Sequence, residues 1–245
     1  MSRYPKTNDV ERLYRSVAAP DLHKFRVVIG ESDLQVLTNS DLEKLMTEKL
    51  KYYRRILKEF IYRHPTFKET LEPFPLIPEA PSFIQWMINV SSLAGVGPMA
   101  AVAGAIAGIM GEELSGDVSD LIIENGGDIY LRSSVKRIIS IYAGESPLSN
   151  RVGLVIHPTQ CLGICTSAGT VGPSLSFGKA DAVVILSPDV ALADAVATAT
   201  ANRISQSDDF QHAIDFARKI NNIIGVLMIK DDKMAVWGSI ELTPV

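Results

Sequence analysis

Cysteine is almost absent from this chain of 245 residues: two occur, Cys161 and Cys165. A pair that close in sequence cannot staple a fold of this size, so a disulfide framework is excluded and a reducing cytoplasm is the expected compartment. Excess positive charge is missing too, since 24 Lys+Arg stand against 28 Asp+Glu for a formal net charge of -4. Without a basic field no counterion release holds a polyanion, and nucleic acid is not an expected partner. The N-terminal segment carries Arg3, Lys6, Arg12 and Arg15 but lacks the apolar run of a signal-peptide core.

Apolar material is plentiful, at 47% hydrophobic residues against 21% charged, which excludes disorder and supplies a large core. At ~150 residues per domain the length suits one large domain or two interleaved subdomains. No charged residue occurs between Glu79 and Glu112, which is longer than the ~20 residues of a spanning helix. Composition argues against a span. Gly97 to Gly111 is mostly Ala and Gly with Pro98 near its front, and such residues contribute little to insertion. The stretch is expected as a central buried helix, with no membrane partner.

Along the chain, Phe25–Ile29 and Leu34–Leu37 flank Gly30-Glu31-Ser32-Asp33 as a β-hairpin. A helix follows to about His64, with Ser40 and Glu43 at capping-box spacing. Its basic face, Lys49 to Lys58, reads as a solvated side. Pro73, Pro75, Pro78 and Pro81 make residues 73–81 an irregular connector within a single domain spanning 1–245. A helix over Pro81–Leu93, a break at Ala94–Gly97 and the Ala/Gly helix come next. Strands are expected at Asp120–Glu124, Asp128–Arg132, Arg137–Tyr142, Arg151–Ile156 and Ala182–Leu186. Ser187-Pro188-Asp189 opens an Ala-rich helix to about Ile204, with Ser187 as N-cap. A helix over Asp208–Asn221 and a closing hairpin over Asp231-Asp232 complete an α+β reading with largely antiparallel sheets.

Three segments could carry chemistry. Asn125-Gly126-Gly127-Asp128 exposes backbone N–H groups and two polar side chains to a ligand, and is equally the pattern of a plain hairpin turn. Asp194 and Thr198, four apart on one face of the Ala-rich helix, offer hard oxygen ligands of the kind Mg²⁺ takes; an exposed acid with no such role is the other reading. Thr166, Ser167 and Gly169, with Gly172-Pro173-Ser174, form a hydroxyl-rich small-residue loop that suits a phosphate or ribose, or an ordinary surface loop. Cys161 and Cys165 lack zinc-site spacing and read as small, partly buried hydrophobes. His23, His64, His157 and His212 are too scattered to nominate a Ser/His/Asp arrangement.

Taken in order, Gly95-Val96-Gly97, Glu124-Asn125-Gly126-Gly127-Asp128-Ile129 and Ala193-Asp194-Ala195-Val196-Ala197-Thr198-Ala199 resemble the ApbE superfamily of FAD:protein FMN transferases, over roughly residues 90–205. The resemblance implies a shortened branch of that superfamily, with an α+β fold and a flavin-nucleotide cleft between interleaved subdomains. It also implies FAD or FMN as ligand and Mg²⁺ on the pyrophosphate through Asp194 and Thr198, aided by a backbone carbonyl. Activity would be FMN transfer or pyrophosphate cleavage; the alternative is a non-catalytic nucleotide-binding protein. A homo-oligomer is left open. Two departures stand out. Where the family carries a lysine before the central helix this chain reads Gly97-Pro98-Met99-Ala100, and in place of a His-containing stretch it has only Ser174-Leu175-Ser176-Phe177-Gly178.

Overall fold

A computed structural model describes residues 19–169 and 178–245. Its strands are β1 His23–Ile29, β2 Ser32–Thr38, β3 Leu121–Asn125, β4 Asp128–Ser133, β5 Arg137–Ser140, β6 Val152–Ile156, β7 Thr159–Ser167, β8 Ala182–Ser187, β9 Gly225–Lys230, β10 Lys233–Gly238 and β11 Leu242–Pro244. The helices are α1 Glu43–Arg63, α2 Thr66–Glu69, α3 Ser82–Ala94, α4 Val102–Leu114, α5 Val190–Ala201 and α6 Phe210–Ala217. The fold is α+β. One sheet of eight strands runs β1-β2-β3-β4-β7-β8-β9-β10, antiparallel at every pairing, and β11-β6-β5 form a smaller sheet.

Alternation along the strands explains why several read as continuous apolar runs. In β8, Val183 and Ile185 join the core that also holds α1, α3, α4 and α5, while Ala182, Val184 and Leu186 join a second core with Ile139, Ile141, Leu154 and Ile156. β9 divides the same way, Val226 and Met228 against Leu227 and Ile229. The large sheet is therefore covered on both faces, by helices on one and by the smaller sheet on the other, and a strand buried on both faces needs no polar alternation.

Most expected elements appear, with shifted ends. The first hairpin turns on Gly30 and Glu31 alone, because Ile29 already pairs with Ser32. α1 buries Met46, Leu50, Tyr53, Leu57 and Phe60, but Ser40 does not cap it: Leu42 occupies the N-cap with no side-chain bond. Leu42 is itself buried, so packing sets the start of the helix in place of the capping box. At α5 the cap is Asp189, whose Oδ1 accepts the Leu192 N–H at 3.0 Å; Ser187 still belongs to β8. α5 ends at Ala201, and the Ile204 carbonyl accepts the Lys179 N–H at 2.7 Å. The Ala/Gly segment begins as a 3₁₀ turn at Pro98–Ala101, and the expected helix over Asp208–Asn221 contracts to Phe210–Ala217 after a 3₁₀ turn. Residues 73–81 contain neither helix nor strand.

β7 was not expected. Its sequence, with Gly163 at its middle and cysteines on either side, carries a weak local strand signal, and the ladders to β4 and β8 make it a strand. Thr166 and Ser167, expected in a loop, are its last two residues.

No single helix among the described residues is long and apolar enough to cross a membrane, and α3 with Pro98–Leu114 is bent by 104°. The small residues of α4 have a packing purpose instead. A Cβ on Gly104 would lie 2.6 Å from the Val190 carbonyl oxygen and 2.7 Å from Asp194 Cβ, so α4 meets α5 at backbone distance. Gly104→Leu overpacks this crossing and should destabilise the protein by about 1–3 kcal/mol or more, lowering its melting temperature by several degrees. Thermal unfolding followed by circular dichroism measures this; an unchanged midpoint would mean the helices do not meet there.

Candidate functional site

Two carboxylates are buried together where the β3–β4 hairpin meets α4 and α5. Asp128 opens β4, and strand alternation puts it on the helix-covered face with Tyr130, opposite Cys165 of β7. Asp194 lies in the second turn of α5 and is 9% exposed, Asp128 6%. The exposed-acid reading of Asp194 is thereby set aside. Asp194 Oδ2 accepts the Gly104 N–H at 2.8 Å, and the Ala103 N–H bonds it as well.

Burial dominates the electrostatics. It pushes the Asp194 carboxyl up to about 7, against the pull of the two backbone N–H groups. Asp128 is raised well above the usual carboxylate range, first by burial and then by the charge of Asp194, while the Cys165 thiol and the Thr166 N–H favour its ionised form. Asp128 Oδ1 is buried with no hydrogen-bond partner. Two carboxylates so placed hold at least part of a shared proton unless a cation replaces it. The Cys165 thiol is pushed up by burial and by both acids, so it stays protonated and unreactive.

The Asn125–Asp128 segment is a two-residue hairpin turn. Asn125 pairs with Asp128, and Gly126 and Gly127 take φ of +71° and +105°, a left-handed pair that glycine adopts without strain. The turn is tied to the helices on one side and closed on itself on the other. Asn125 Nδ2 donates to the Ala103 carbonyl at 3.0 Å, and the Gly127 N–H donates to Glu124 Oε1 at 2.8 Å. The turn residues thus wall the carboxylate pair.

Of the other expected site residues, Ser167 is buried on the Cys165 side of β7 and Thr166 alternates to the opposite face. Gly169 lies beside Gly178, whose carbonyl oxygen would stand 2.0 Å from a Cβ there, and its N–H donates to the Ala180 carbonyl. Gly172, Pro173 and Ser174 lie outside the described residues. Thr198 follows Asp194 by one helical turn on the same face and is half-buried. Among the described residues no three His, Cys, Asp or Glu side chains group as a metal site. A divalent ion here would find the two aspartates, and one or two carboxylates is the number Mg²⁺ commonly takes. The reading from sequence missed Ala103, Gly104 and Cys165. Cys165 could have been found by pairing β7 with β4; the two backbone N–H groups carry no sequence signal.

A family model described as AbpE bacteria matches residues 15–230. The chain belongs to this family. Its relatives include the UPF0280 protein of Methanocella arvoryzae, 41% identical over 212 residues, with 86% of each chain covered. The UPF0280 protein of Methanoculleus marisnigri is 46% identical over 195 residues, 78% of this chain and 77% of that one. Among solved structures, the ApbE protein of Thermotoga maritima matches with a TM-score of 0.60 at 13% identity, covering 89% of this chain and 97% of that one. The flavin transferase ApbE of Vibrio cholerae gives 0.56 at 15% identity, with the same coverage. At such identity the likeness establishes the shared fold. In this chain Pro98–Ala101 is a 3₁₀ turn with Pro98 and Ala101 buried.

The carboxyl pair gives the folded protein a pH signature. Asp194 titrates near its ordinary 3.8 when unfolded and near 7 when folded, so between those values the folded chain holds more protons than the unfolded one. The stability that Asp194 contributes is therefore full below about pH 4 and is lost as pH rises to about 7, and the raised Asp128 acts in the same direction. Asp194→Asn, which keeps an acceptor for the Gly104 N–H, should flatten this slope in urea unfolding measured across that window without added metal. The same slope in variant and wild type would show that Asp194 is not perturbed.

Proposed function

We propose that this protein binds a flavin nucleotide, FAD or a related pyrophosphate ligand, together with Mg²⁺ held by Asp194 and Thr198, and that its chemistry is phosphoryl-type: FMN transfer or pyrophosphate cleavage. The observation that carries the reading is the buried Asp128–Asp194 pair, with an unpartnered oxygen on Asp128, set among the turn and helix segments by which the chain resembles the transferases. When bound, Mg²⁺ supplies Lewis-acid polarisation of the pyrophosphate.

The chain's own residues do the rest. Asp194 is held in one orientation by the Gly104 N–H. Asp128 and Asp194 give up their shared proton when a divalent cation enters, so metal affinity rises with pH. The Gly126–Gly127 turn adds no side chains next to Asp128, and Thr198 adds a hydroxyl one turn along α5 from Asp194. Of the three residues expected at phosphate or ribose, Ser167 lies on the Asp128 side of β7, whereas Thr166 faces the other side of the sheet and the Gly169 N–H is taken by the Ala180 carbonyl, so Ser167 is the one placed to meet the ligand. Homologous chemistry in a reducing cytoplasm is consistent with two free cysteines among the described residues.

A second reading has its own support. Pro98–Ala101 holds no lysine where the resemblance leads to one, and its loss favours a nucleotide-binding protein without transferase chemistry.

Calorimetric titration with FAD, with and without Mg²⁺, tests the binding. Wild type should bind FAD more tightly with Mg²⁺, and Asp194→Ala should lose that increment, at least about tenfold in affinity, while circular dichroism shows the fold retained. Equal FAD affinity in both proteins would overturn the assignment. Incubation of the wild type with FAD and Mg²⁺ then separates the two readings: release of FMN or AMP, or a flavin-linked peptide, marks the enzyme, and unchanged FAD marks the binder.

A further inference from the structure

A separate cavity of about 490 Å³ opens toward the other end of the α4–α5 seam, within the ~300–1,000 Å³ range of small-ligand sites. Phe83 and Trp86 of α3, Ile109 and Glu112 of α4, Asp189 and Asn222 line it. From Gly104 to Glu112 the helix rises about 12 Å at ~1.5 Å per residue, which sets this cavity apart from the Asp128–Asp194 pair.

Its charged groups, Glu112 and Asp189, are of one sign. Asp189 is fully engaged: Oδ1 caps α5 through the Leu192 N–H, and Oδ2 accepts Trp86 Nε1–H at 3.1 Å. Its negative charge is thus fixed in place. Glu112 is an exposed residue whose carboxylate has no hydrogen-bond or ion-pair partner among the described residues; Lys49 reaches the neighbouring Glu113 instead. Partial desolvation at the cavity wall and the charge of Asp189 both raise the Glu112 carboxyl above its ordinary value. No Lys or Arg lines the cavity. The Trp86 ring is held at both ends, by Asp189 at its nitrogen and by the crossing at Gly108, where Cη2 would stand 2.9 Å from a Cβ.

We propose that this cavity binds a small organic ammonium ion, an aliphatic amine seated between the Glu112 carboxylate and the Trp86 ring. A fixed aromatic face and an uncommitted carboxylate together attract an ammonium group, and the apolar walls Phe83 and Ile109 cover its alkyl chain. A metal ion would find one uncommitted carboxylate and apolar walls, which leaves most of its coordination to water. The site is independent of the flavin reading.

Trp86 itself reports binding. In a Trp237→Phe background it is the single tryptophan, since the chain has 2. Its fluorescence is titrated with 1,4-diaminobutane, with a capped lysine peptide, and with NaCl and MgCl₂ at matched ionic strength. Saturable change with the diamine, weakened at least tenfold by Glu112→Gln at an unchanged melting temperature, is the expected result. No saturation, an equal response to MgCl₂, or undiminished affinity in Glu112→Gln would overturn the proposal. A response to the lysine peptide alone would overturn the small-molecule assignment and give the site to a protein partner. Calorimetry on the unmodified chain gives the same answers should Trp237→Phe fail to fold.

Discussion

The hydrogen bond from the Gly104 N–H to Asp194 sets the geometry of the whole site. It forms only because Gly104 has no side chain to hold α5 away, and it fixes the depth at which Asp194 sits, largely buried and close enough to Asp128 for the two charges to interact. Once the carboxylate is buried at that crossing, the remaining constraints follow. The hairpin tip must approach α4, which Asn125 does through the Ala103 carbonyl; the tip must turn within two residues, which Gly126 and Gly127 allow; and β7 must present a small, uncharged neighbour to Asp128, which is Cys165. A buried pair of acids costs stability on its own, and that cost marks it as a candidate functional site.

The rest of the fold supplies rigidity around that crossing. The eight-stranded sheet is packed on both faces, so the strands bearing Asp128 and Cys165 cannot shift without disturbing two cores. The smaller sheet is joined to the larger by a polar network. Arg137 of β5 donates to Asp21 at 2.5 and 2.8 Å and to Ser133 at 2.9 Å, and Asp120 accepts from Ser133 and Ser134 at 2.7 Å. Those hydroxyls and the Ser134 N–H outweigh burial and hold the Asp120 carboxyl well below its ordinary range, in contrast to Asp128 and Asp194. Asp120, whose carboxylate accepts from several hydroxyls and an N–H, thus contrasts with Asp128, which keeps one oxygen without a partner, and with Asp194, whose two backbone N–H bonds do not offset burial; hydrogen bonding to the charged form makes the difference.

Most of the fold was legible because its signals are local. Helical spacing from Met46 to Phe60, the left-handed turn at Gly126-Gly127 and the apolar run at Ala182–Leu186 depend on neighbours a few residues away. The elements that were misread depend on distant partners. Ser40 has the residue type of a cap, yet the helix starts where Leu42 meets the core; Ser187 was displaced as cap by Asp189, which gains a second bond from Trp86. β7, with Gly163 and two cysteines, has no propensity to declare itself and becomes a strand because β4 and β8 flank it.

By itself the sequence determined which residues could carry chemistry: an Asn-Gly-Gly-Asp turn, an aspartate and a threonine one helical turn apart, and small residues where helices must cross. These are properties of residue type and spacing, which the chain carries whether or not it is folded. Only the tertiary structure decided that Asp128 and Asp194 share one buried site, that Ala103 and Gly104 contribute backbone N–H groups to it, and that Glu112 and Asp189 face a different cavity beside Trp86. Proximity of groups 66 residues apart, as Asp128 and Asp194 are, arises from the sheet register and the α4–α5 crossing, and burial in turn sets their protonation; neither is encoded in any local stretch of the chain.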